Sequence, residues 1–170
     1  MPDFVHELRV RYGECDPQGI VFNPNYLAYF DHTVTELWRA SSIGSWEGMV
    51  EKGVDVVVGE ANIRFRSAAR FDDLITISAS VVHFGTTSLK LELLIHRGDE
   101  LLIEGWLRQV FVDVKSFAKT PIPEWVREAE RKGIMTPPKK SGPAVLGPPI
   151  RVDPKFSILE ALIEERRTGR

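Results

Sequence analysis

The sequence predicts an α+β domain in which a five-stranded antiparallel sheet wraps around a single long helix. Three observations support this: an apolar helical stripe follows the first strand, four strand-like segments follow the helix, and short hairpin turns link the last three. With 170 residues, 43% of them hydrophobic, the chain is long enough to bury one ordinary core. We therefore expect one domain over residues 1–132, followed by an extension.

The first strand is predicted from Phe4 to Arg11, with Val5, Leu8 and Val10 available for burial. The residues that follow, from Gly13 to Gly19, contain two glycines and a proline and therefore predict a loop. This loop leads directly into the helical segment.

A long helix is predicted to begin at Pro24 with Asn23 as its N-cap, because proline at the first helical position loses no hydrogen bond. Apolar residues recur at helical spacing from Leu27 to Trp38, and few charges interrupt them. We therefore expect the helix to be buried on more than one side and to end near Gly44 and Gly48.

Four further strands are predicted where β-branched and alternating apolar residues dominate, at residues 55–66, 74–84, 89–96 and 101–114. Residues 123–132 predict a short amphipathic helix. Six prolines between residues 133 and 154 predict an extended linker, and residues 155–167 a terminal amphipathic helix. We interpret residues 133–170 as an extension of the domain and not as a second domain.

Composition and charge argue against several classes of function. The net charge of −2 gives no electrostatic reason to expect nucleic acid or a membrane surface as a partner. The four histidines show no metal-ligand spacing and no nucleotide-binding glycine fingerprint is present, so we predict neither a metal nor another cofactor. The sequence shows no signal peptide or membrane span and its single cysteine allows no intrachain disulfide, so we expect a cytoplasmic protein.

Asp16 is the residue to which we assign the chemistry. It lies in a turn-forming segment that runs into the helix start, where backbone N–H groups can stabilise negative charge. Acyl transfer requires this pairing of a base or nucleophile with donors for an oxyanion. Alternatively, Asp16 could be only an Asx-turn residue before Pro17, since Asp-Pro commonly starts turns. Glu14 could supply a second carboxylate, or be only a solvated loop charge.

The segment from Tyr12 to Tyr26, Tyr-Gly-Glu-Cys-Asp-Pro-Gln-Gly-Ile-Val-Phe-Asn-Pro-Asn-Tyr, resembles the 4-hydroxybenzoyl-CoA thioesterase family of hotdog-fold proteins. Ala68–Asp73, and Pro121 with Pro123, are similar to further family features, and the likeness extends to about Lys132. The resemblance implies a hotdog fold and acyl-CoA thioesterase activity. It also implies dimers that join their sheets edge to edge, often pair again into tetramers, and have sites at the subunit interface.

The resemblance also implies roles for individual residues. The aspartate that matches Asp16 acts as a nucleophile or as a general base on water. Backbone N–H groups near Phe22 and Asn23 would polarise the thioester carbonyl, with Gly19 and Tyr26 as further candidates for positioning the substrate. Family members often carry histidine or tyrosine where this chain has Asn23, so that role would be absent here or taken by the amide. Asn23 could equally be only a helix cap.

Six side chains are candidates for binding coenzyme A. Arginine suits phosphate because its planar guanidinium binds two oxygens at once, and hydroxyls could bond the pantetheine arm or a phosphate. The strand arginines could instead form a solvated strand face, and the hydroxyl residues could serve only a turn. The candidates are Arg64, Arg66, Arg70, Lys90, Thr87 and Ser88.

We therefore predict an acyl-CoA thioesterase that hydrolyses an aryl- or short- to medium-chain acyl-CoA and forms a homodimer or homotetramer. Asn23, in place of histidine or tyrosine, leaves open a non-catalytic acyl-CoA or acyl-carrier-protein binding module on the same fold. A hotdog hydratase is disfavoured, because those enzymes pair an aspartate with a histidine and no histidine stands five or seven residues after Asp16.

Overall fold

The computed structural model describes residues 4–41 and 46–131. The predicted linker and terminal helix, residues 133–170, lie outside the described residues. The elements in chain order are β1 (Phe4–Arg9), a 3₁₀ turn (Tyr12–Glu14), α1 (Pro24–Ala40), α2 (Trp46–Glu51), β2 (Val54–Phe65), β3 (Leu74–Phe84), β4 (Ser88–Arg97), β5 (Glu100–Asp113) and α3 (Glu124–Arg131).

The five strands form one sheet in the order β1-β3-β4-β5-β2, and every neighbouring pair is antiparallel. The tightest connection joins β4 to β5, where Gly98 has a φ angle of +57° that favours glycine. β1 and β2 are the two edges, since each pairs with one strand only.

Helix α1 packs against one face of the sheet and supplies much of the core. Alternate residues of β3 and β4 point toward it, so each strand shows a buried, less-buried repeat. Gly105 on β5 allows close packing, because a Cβ there would lie 2.8 Å from the Phe30 ring and 2.3 Å from the Asn62 carbonyl oxygen. The buried residues of α1 are Tyr26, Tyr29, Phe30, Thr33, Val34, Leu37 and Trp38.

The predicted α+β architecture, with five antiparallel strands around one long helix, is confirmed. Two local expectations are wrong. Val5 is 52% exposed, because Phe4 and its alternate neighbours face the helix and Val5 faces away from it. Helix α1 ends at Ala40, where the Ser41 hydroxyl donates to a carbonyl of the last turn, and Gly48 lies inside the separate short helix α2.

Across residues 4–41 and 46–131, every helix is too short or too polar to span a lipid bilayer.

Candidate active site

Asp16 begins a tight turn that the segment Asp-Pro-Gln-Gly forms for local reasons. Pro17 presets the φ angle of the second turn position, and Gly19 has a φ angle of +74°, which glycine adopts at little cost. Gly19 N–H donates to the Asp16 carbonyl at 2.9 Å, and Gln18 N–H donates to Asp16 Oδ1 at 2.8 Å. The Asx turn is therefore present, but it occupies one carboxylate oxygen. Within the described ranges, Asp16 Oδ2 has no hydrogen bond.

The loop that carries this turn is closed on itself. Asp16 N–H donates to the Ile20 carbonyl, and Phe22 N–H donates to the Glu14 carbonyl, each at 2.9 Å. These two bonds form a short antiparallel ladder behind the turn. The loop from Glu14 to Phe22 is consequently a compact unit, and Asp16 is partly buried within it.

Ala69 connects this loop to the core. Val21 N–H donates to the Ala69 carbonyl at 2.9 Å, and Ala69 N–H donates to the Tyr26 hydroxyl at 2.9 Å. Burial raises the pKa of Tyr26, so its hydroxyl stays protonated. Because Tyr26 is only 1% exposed, its side chain holds the Ala69 segment and does not present a surface to a ligand.

Within residues 4–41 and 46–131, the start of α1 leaves a backbone donor without an acceptor. Pro24 has no N–H, Asn25 N–H donates to the Phe22 carbonyl at 2.8 Å, and Tyr26 N–H donates to the Asn23 carbonyl at 3.2 Å. Asn23 occupies the N-cap position as predicted, but within the described residues its side chain makes no capping bond, and these backbone bonds serve the first N–H groups instead. Phe22 N–H is used inside the loop. Asn23 N–H is thus the helix-start donor for which residues 4–41 and 46–131 supply no acceptor.

Glu14 is not a solvated loop charge. Its side chain is 21% exposed, and Oε2 accepts from Arg11 N–H and from the Tyr29 hydroxyl, each at 2.7 Å. Its carbonyl also accepts from Asn25 Nδ2 at 2.7 Å. No sequence pattern links Tyr29 or Asn25 to this loop, since the fold alone brings α1 against it. The spacing from Arg11 to Glu14 is that of a capping box, and it was the one local sign that the Glu14 carboxylate bonds to the backbone.

Two clefts flank the first turns of α1, and Ala28 borders both. The larger has a volume of about 370 Å³ and is apolar apart from one carboxylate; it is lined by Pro24, Leu27, Ala28, Asp31, Val58 and Leu107. The smaller, of about 220 Å³, is more polar and is lined by Leu8, Arg11, Glu14, Asn25, Ala28, Tyr29 and His32. Asp16 lines neither cleft. Within the part of the chain described here, no group of three or more His, Cys, Asp or Glu is placed to hold a metal ion.

The family described as Thioesterase superfamily matches residues 18–104, just over half of the chain. The chain belongs to the Thioesterase superfamily. The match begins two residues after Asp16 and includes the helix start, α1 and most of the sheet up to Glu104.

Individual relatives of this thioesterase-family chain are named as thioesterases or as acyl-CoA thioester hydrolases. A 4-hydroxybenzoyl-CoA thioesterase from a Pseudomonas species is 28% identical over 114 residues, 66% of this chain and 65% of that enzyme. The acyl-CoA thioester hydrolase YbgC of Escherichia coli O6:H1 is 26% identical over 118 residues, 69% of this chain and 87% of that protein. The solved structure of a gentisyl-coenzyme A thioesterase has a TM-score of 0.67 and 27% identity, and the alignment covers 73% of this chain and 99% of that one. The predicted membership in a family of hotdog-fold thioester hydrolases is confirmed.

Three of the candidate coenzyme A residues lie at the same end of the thioesterase sheet as Asp16. Arg64 and Arg66 both donate to Glu104 Oε1, at 2.9 and 2.7 Å. The hydrogen bond from Arg66 is the main cause that holds the pKa of Glu104 below its usual range. Arg70 lies beside the Asp16 loop, opposite Ile20, and its guanidinium makes no ion pair within the described residues.

The other three candidates lie at the opposite end of the sheet. Ser88 begins β4, Lys90 follows on the same strand with Nζ 4.1 Å from the centre of the Trp106 ring, and Thr87 precedes them. The ten residues of β4 span about 30 Å. Within one chain, therefore, the structure does not bring these residues together with Arg70.

Proposed function

We propose that this chain is an acyl-CoA thioesterase in which Asp16 attacks the thioester carbonyl or activates a water molecule. One observation carries the proposal: a half-engaged carboxylate lies in the compact loop, and an unused N–H lies at the helix start that directly follows it. Asp16 Oδ2 and Asn23 N–H both have no partner within residues 4–41 and 46–131.

The proposed chemistry uses these two groups in turn. Oδ2 of Asp16 adds to the carbonyl carbon, or removes a proton from the water that does so. Negative charge develops on the carbonyl oxygen, where Asn23 N–H and the positive end of α1 stabilise it. A well-placed donor of this kind contributes about 3–4 kcal/mol to the transition state. Collapse of the intermediate breaks the C–S bond and releases the thiolate of coenzyme A, which is a good leaving group and does not require a strong general acid. Attack by water gives the free acid directly, whereas attack by Asp16 leaves an acyl–Asp16 anhydride that water then hydrolyses to the free acid and the Asp16 carboxylate.

The acyl group is proposed to occupy the larger cleft. Pro24, which lines that cleft, directly follows Asn23, the proposed oxyanion donor. Its apolar lining and volume of about 370 Å³ suit an aryl ring or a short to medium acyl chain. Two of the relatives described above are named for aromatic acyl-CoA substrates, which makes aryl thioesters the first to test.

A homodimer or homotetramer belongs to the same proposal. Thr87 and Ser88 lie at the start of β4, about 30 Å from the end of that strand near Arg70, so the candidate coenzyme A residues of one chain do not converge on one point and a second chain would complete the site. β2 is a twelve-residue edge strand with exposed Val57 and Val58, which is a surface suited to pairing with a second sheet. Analytical ultracentrifugation measures this directly, and a monomer at micromolar concentration would contradict it.

A cytoplasmic location is also proposed. Cys15 is a free thiol beside the proposed catalytic residue, and free thiols persist in reducing compartments. Cell fractionation followed by immunoblotting tests this, and recovery in a secreted or oxidising fraction would contradict it.

Thiol release from a panel of aryl- and alkyl-CoA thioesters tests the catalytic proposal. Asp16→Asn keeps the oxygen that accepts from Gln18 N–H, so the turn should survive while kcat falls by roughly three orders of magnitude. Asp99→Asn, the same change in the exposed β4–β5 turn, is the matched control and should retain activity. Retention of most activity in Asp16→Asn would refute the role of Asp16. Binding of thioesters by the wild type without turnover would instead favour the non-catalytic binding module.

A further inference from the structure

Glu14 accepts four hydrogen bonds that join separate parts of the candidate site. Its carbonyl accepts from Phe22 N–H at 2.9 Å and from Asn25 Nδ2 at 2.7 Å. Its carboxylate accepts from Arg11 N–H and from the Tyr29 hydroxyl, each at 2.7 Å. The residue therefore connects the beginning of the loop, the end of the loop and the second turn of α1.

The bond between Tyr29 and Glu14 is suited to a permanent anchor. Tyr29 is 5% exposed, and a hydroxyl that donates to a carboxylate forms a short, charge-assisted hydrogen bond. Burial raises the pKa of Tyr29, and the hydrogen bond to Glu14 raises it further, so the hydroxyl remains a donor throughout the working pH range.

The position of this anchor determines what it controls. The loop between Glu14 and Phe22 is closed by its own hydrogen bonds, and Val21 N–H holds its far side to the Ala69 carbonyl. Glu14 ties the near side of the loop to α1, through Asn25 and Tyr29. The Glu14 carbonyl also accepts the hydrogen bond from Phe22 N–H, so Asn23 N–H is the donor that remains at the helix start within the described residues. Movement at Glu14 would therefore change the spacing between the Asp16 carboxylate and that donor.

We propose that Glu14 and Tyr29 are positioning residues that keep a fixed spacing between Asp16 and the N-terminus of α1. They increase kcat in this way without touching the substrate. This inference rests on the proposed thioesterase function. A role for Glu14 as a second reacting carboxylate is disfavoured, because Oε2 already accepts two hydrogen bonds and Oε1 lies 3.9 Å from Arg11 Nη1.

The test compares Tyr29→Phe with Tyr12→Phe. The first removes only the hydroxyl that donates to Glu14, and the second makes the same chemical change at a tyrosine that is 81% exposed. Because a displacement of about 1 Å can reduce a rate about 100-fold, Tyr29→Phe should lower kcat roughly 10- to 100-fold, with KM within about twofold of wild type. Tyr12→Phe should behave as wild type.

A second pair of variants separates positioning from simple loss of stability. Glu14→Gln keeps an acceptor of the same shape for Tyr29 and Arg11 and should restore much of the kcat that Glu14→Ala loses. All rates are measured well below the melting temperature of each variant. If Tyr29→Phe keeps the wild-type kcat while Asp16→Asn is inactive, the positioning role is wrong and the thioesterase proposal stands.

Amide hydrogen exchange supplies a readout that does not depend on turnover. Tyr29→Phe should speed exchange at Gly19 and Phe22, whose N–H groups bond within the loop, while Tyr12→Phe should not. Unchanged exchange in Tyr29→Phe refutes the anchor even if no thioester is hydrolysed. A wild type that lacks activity on every thioester, yet shows faster loop exchange in Tyr29→Phe, refutes the proposed function and leaves the anchor in place.

Discussion

Substituting Gly19 by alanine tests whether the backbone geometry of the Asp16 turn is required. Gly19 has a φ angle of +74°, and a Cβ built there meets no atom within 4 Å. The substitution therefore perturbs the backbone without a steric clash. Gly13 provides the control, because its Cβ position is equally open and its φ angle is not in the left-handed region.

The expected magnitude follows from these two features. An L-residue in the left-handed region costs about 1–2 kcal/mol. Replacing glycine by alanine also reduces the entropy of the unfolded chain, which stabilises both variants by about 0.4–1 kcal/mol. Since that second contribution is common to both, Gly19→Ala should be about 1–2 kcal/mol less stable than Gly13→Ala. For a protein of this size the difference corresponds to roughly 2–8 °C in melting temperature.

Thermal unfolding followed by circular dichroism measures the stability difference, and thiol release measures kcat. If the loop relieves the strain locally, the bond from Gly19 N–H to the Asp16 carbonyl is lost, and kcat falls more than stability does. Gly19→Asn should be intermediate, because asparagine tolerates left-handed φ better than alanine does. Equal melting temperatures and equal kcat for Gly19→Ala and Gly13→Ala would refute the reasoning.

Two further predictions concern the core and the first strand. In Gly105→Ala, the new Cβ would lie 2.3 Å from the Asn62 carbonyl oxygen. Because overpacking of this kind typically costs roughly 1–3 kcal/mol, the variant should be less stable than wild type by at least that amount. An unchanged melting temperature would contradict this prediction. Burial and the neighbouring His32 ring, 4.9 Å away, lower the pKa of His6, although Glu36 and Glu7 raise it. Since the unfolded chain then binds a proton more readily, stability should fall as pH drops through about 6.5. His6→Asn should flatten that melting profile between pH 7 and pH 5, and a profile of unchanged slope would show that His6 is not its source.

Much of the fold follows from short-range patterns in the sequence. The strand positions follow from alternating apolar residues, and the β4–β5 turn from its Gly98. The Asp16 turn follows from the order Asp-Pro-Gln-Gly, because each of its interactions spans three residues or fewer. That is why a candidate catalytic carboxylate beside a helix start could be predicted without a structure.

Two errors show where local patterns stop being informative. Period-two alternation in β1 identifies a strand but does not say which face meets the helix, so Val5 was expected to be buried and is exposed. The side chain of Asn23 was expected to cap α1, but nearby carbonyls satisfy the first N–H groups instead. Tertiary contacts select the buried face of β1, whereas at Asn23 two local ways of satisfying the first N–H groups both fit the sequence.

Local sequence patterns are enough to predict the α+β class, the turn at Asp16 and the position of the helix that follows it. Which groups hold that turn in place depends on long-range contacts. Tyr29 reaches Glu14 across fifteen residues, and Tyr26 reaches Ala69 across forty-three. Contacts over such separations depend on the sheet order β1-β3-β4-β5-β2 and on how α1 lies against the sheet. That arrangement is set by the burial of the whole core, which no local pattern encodes.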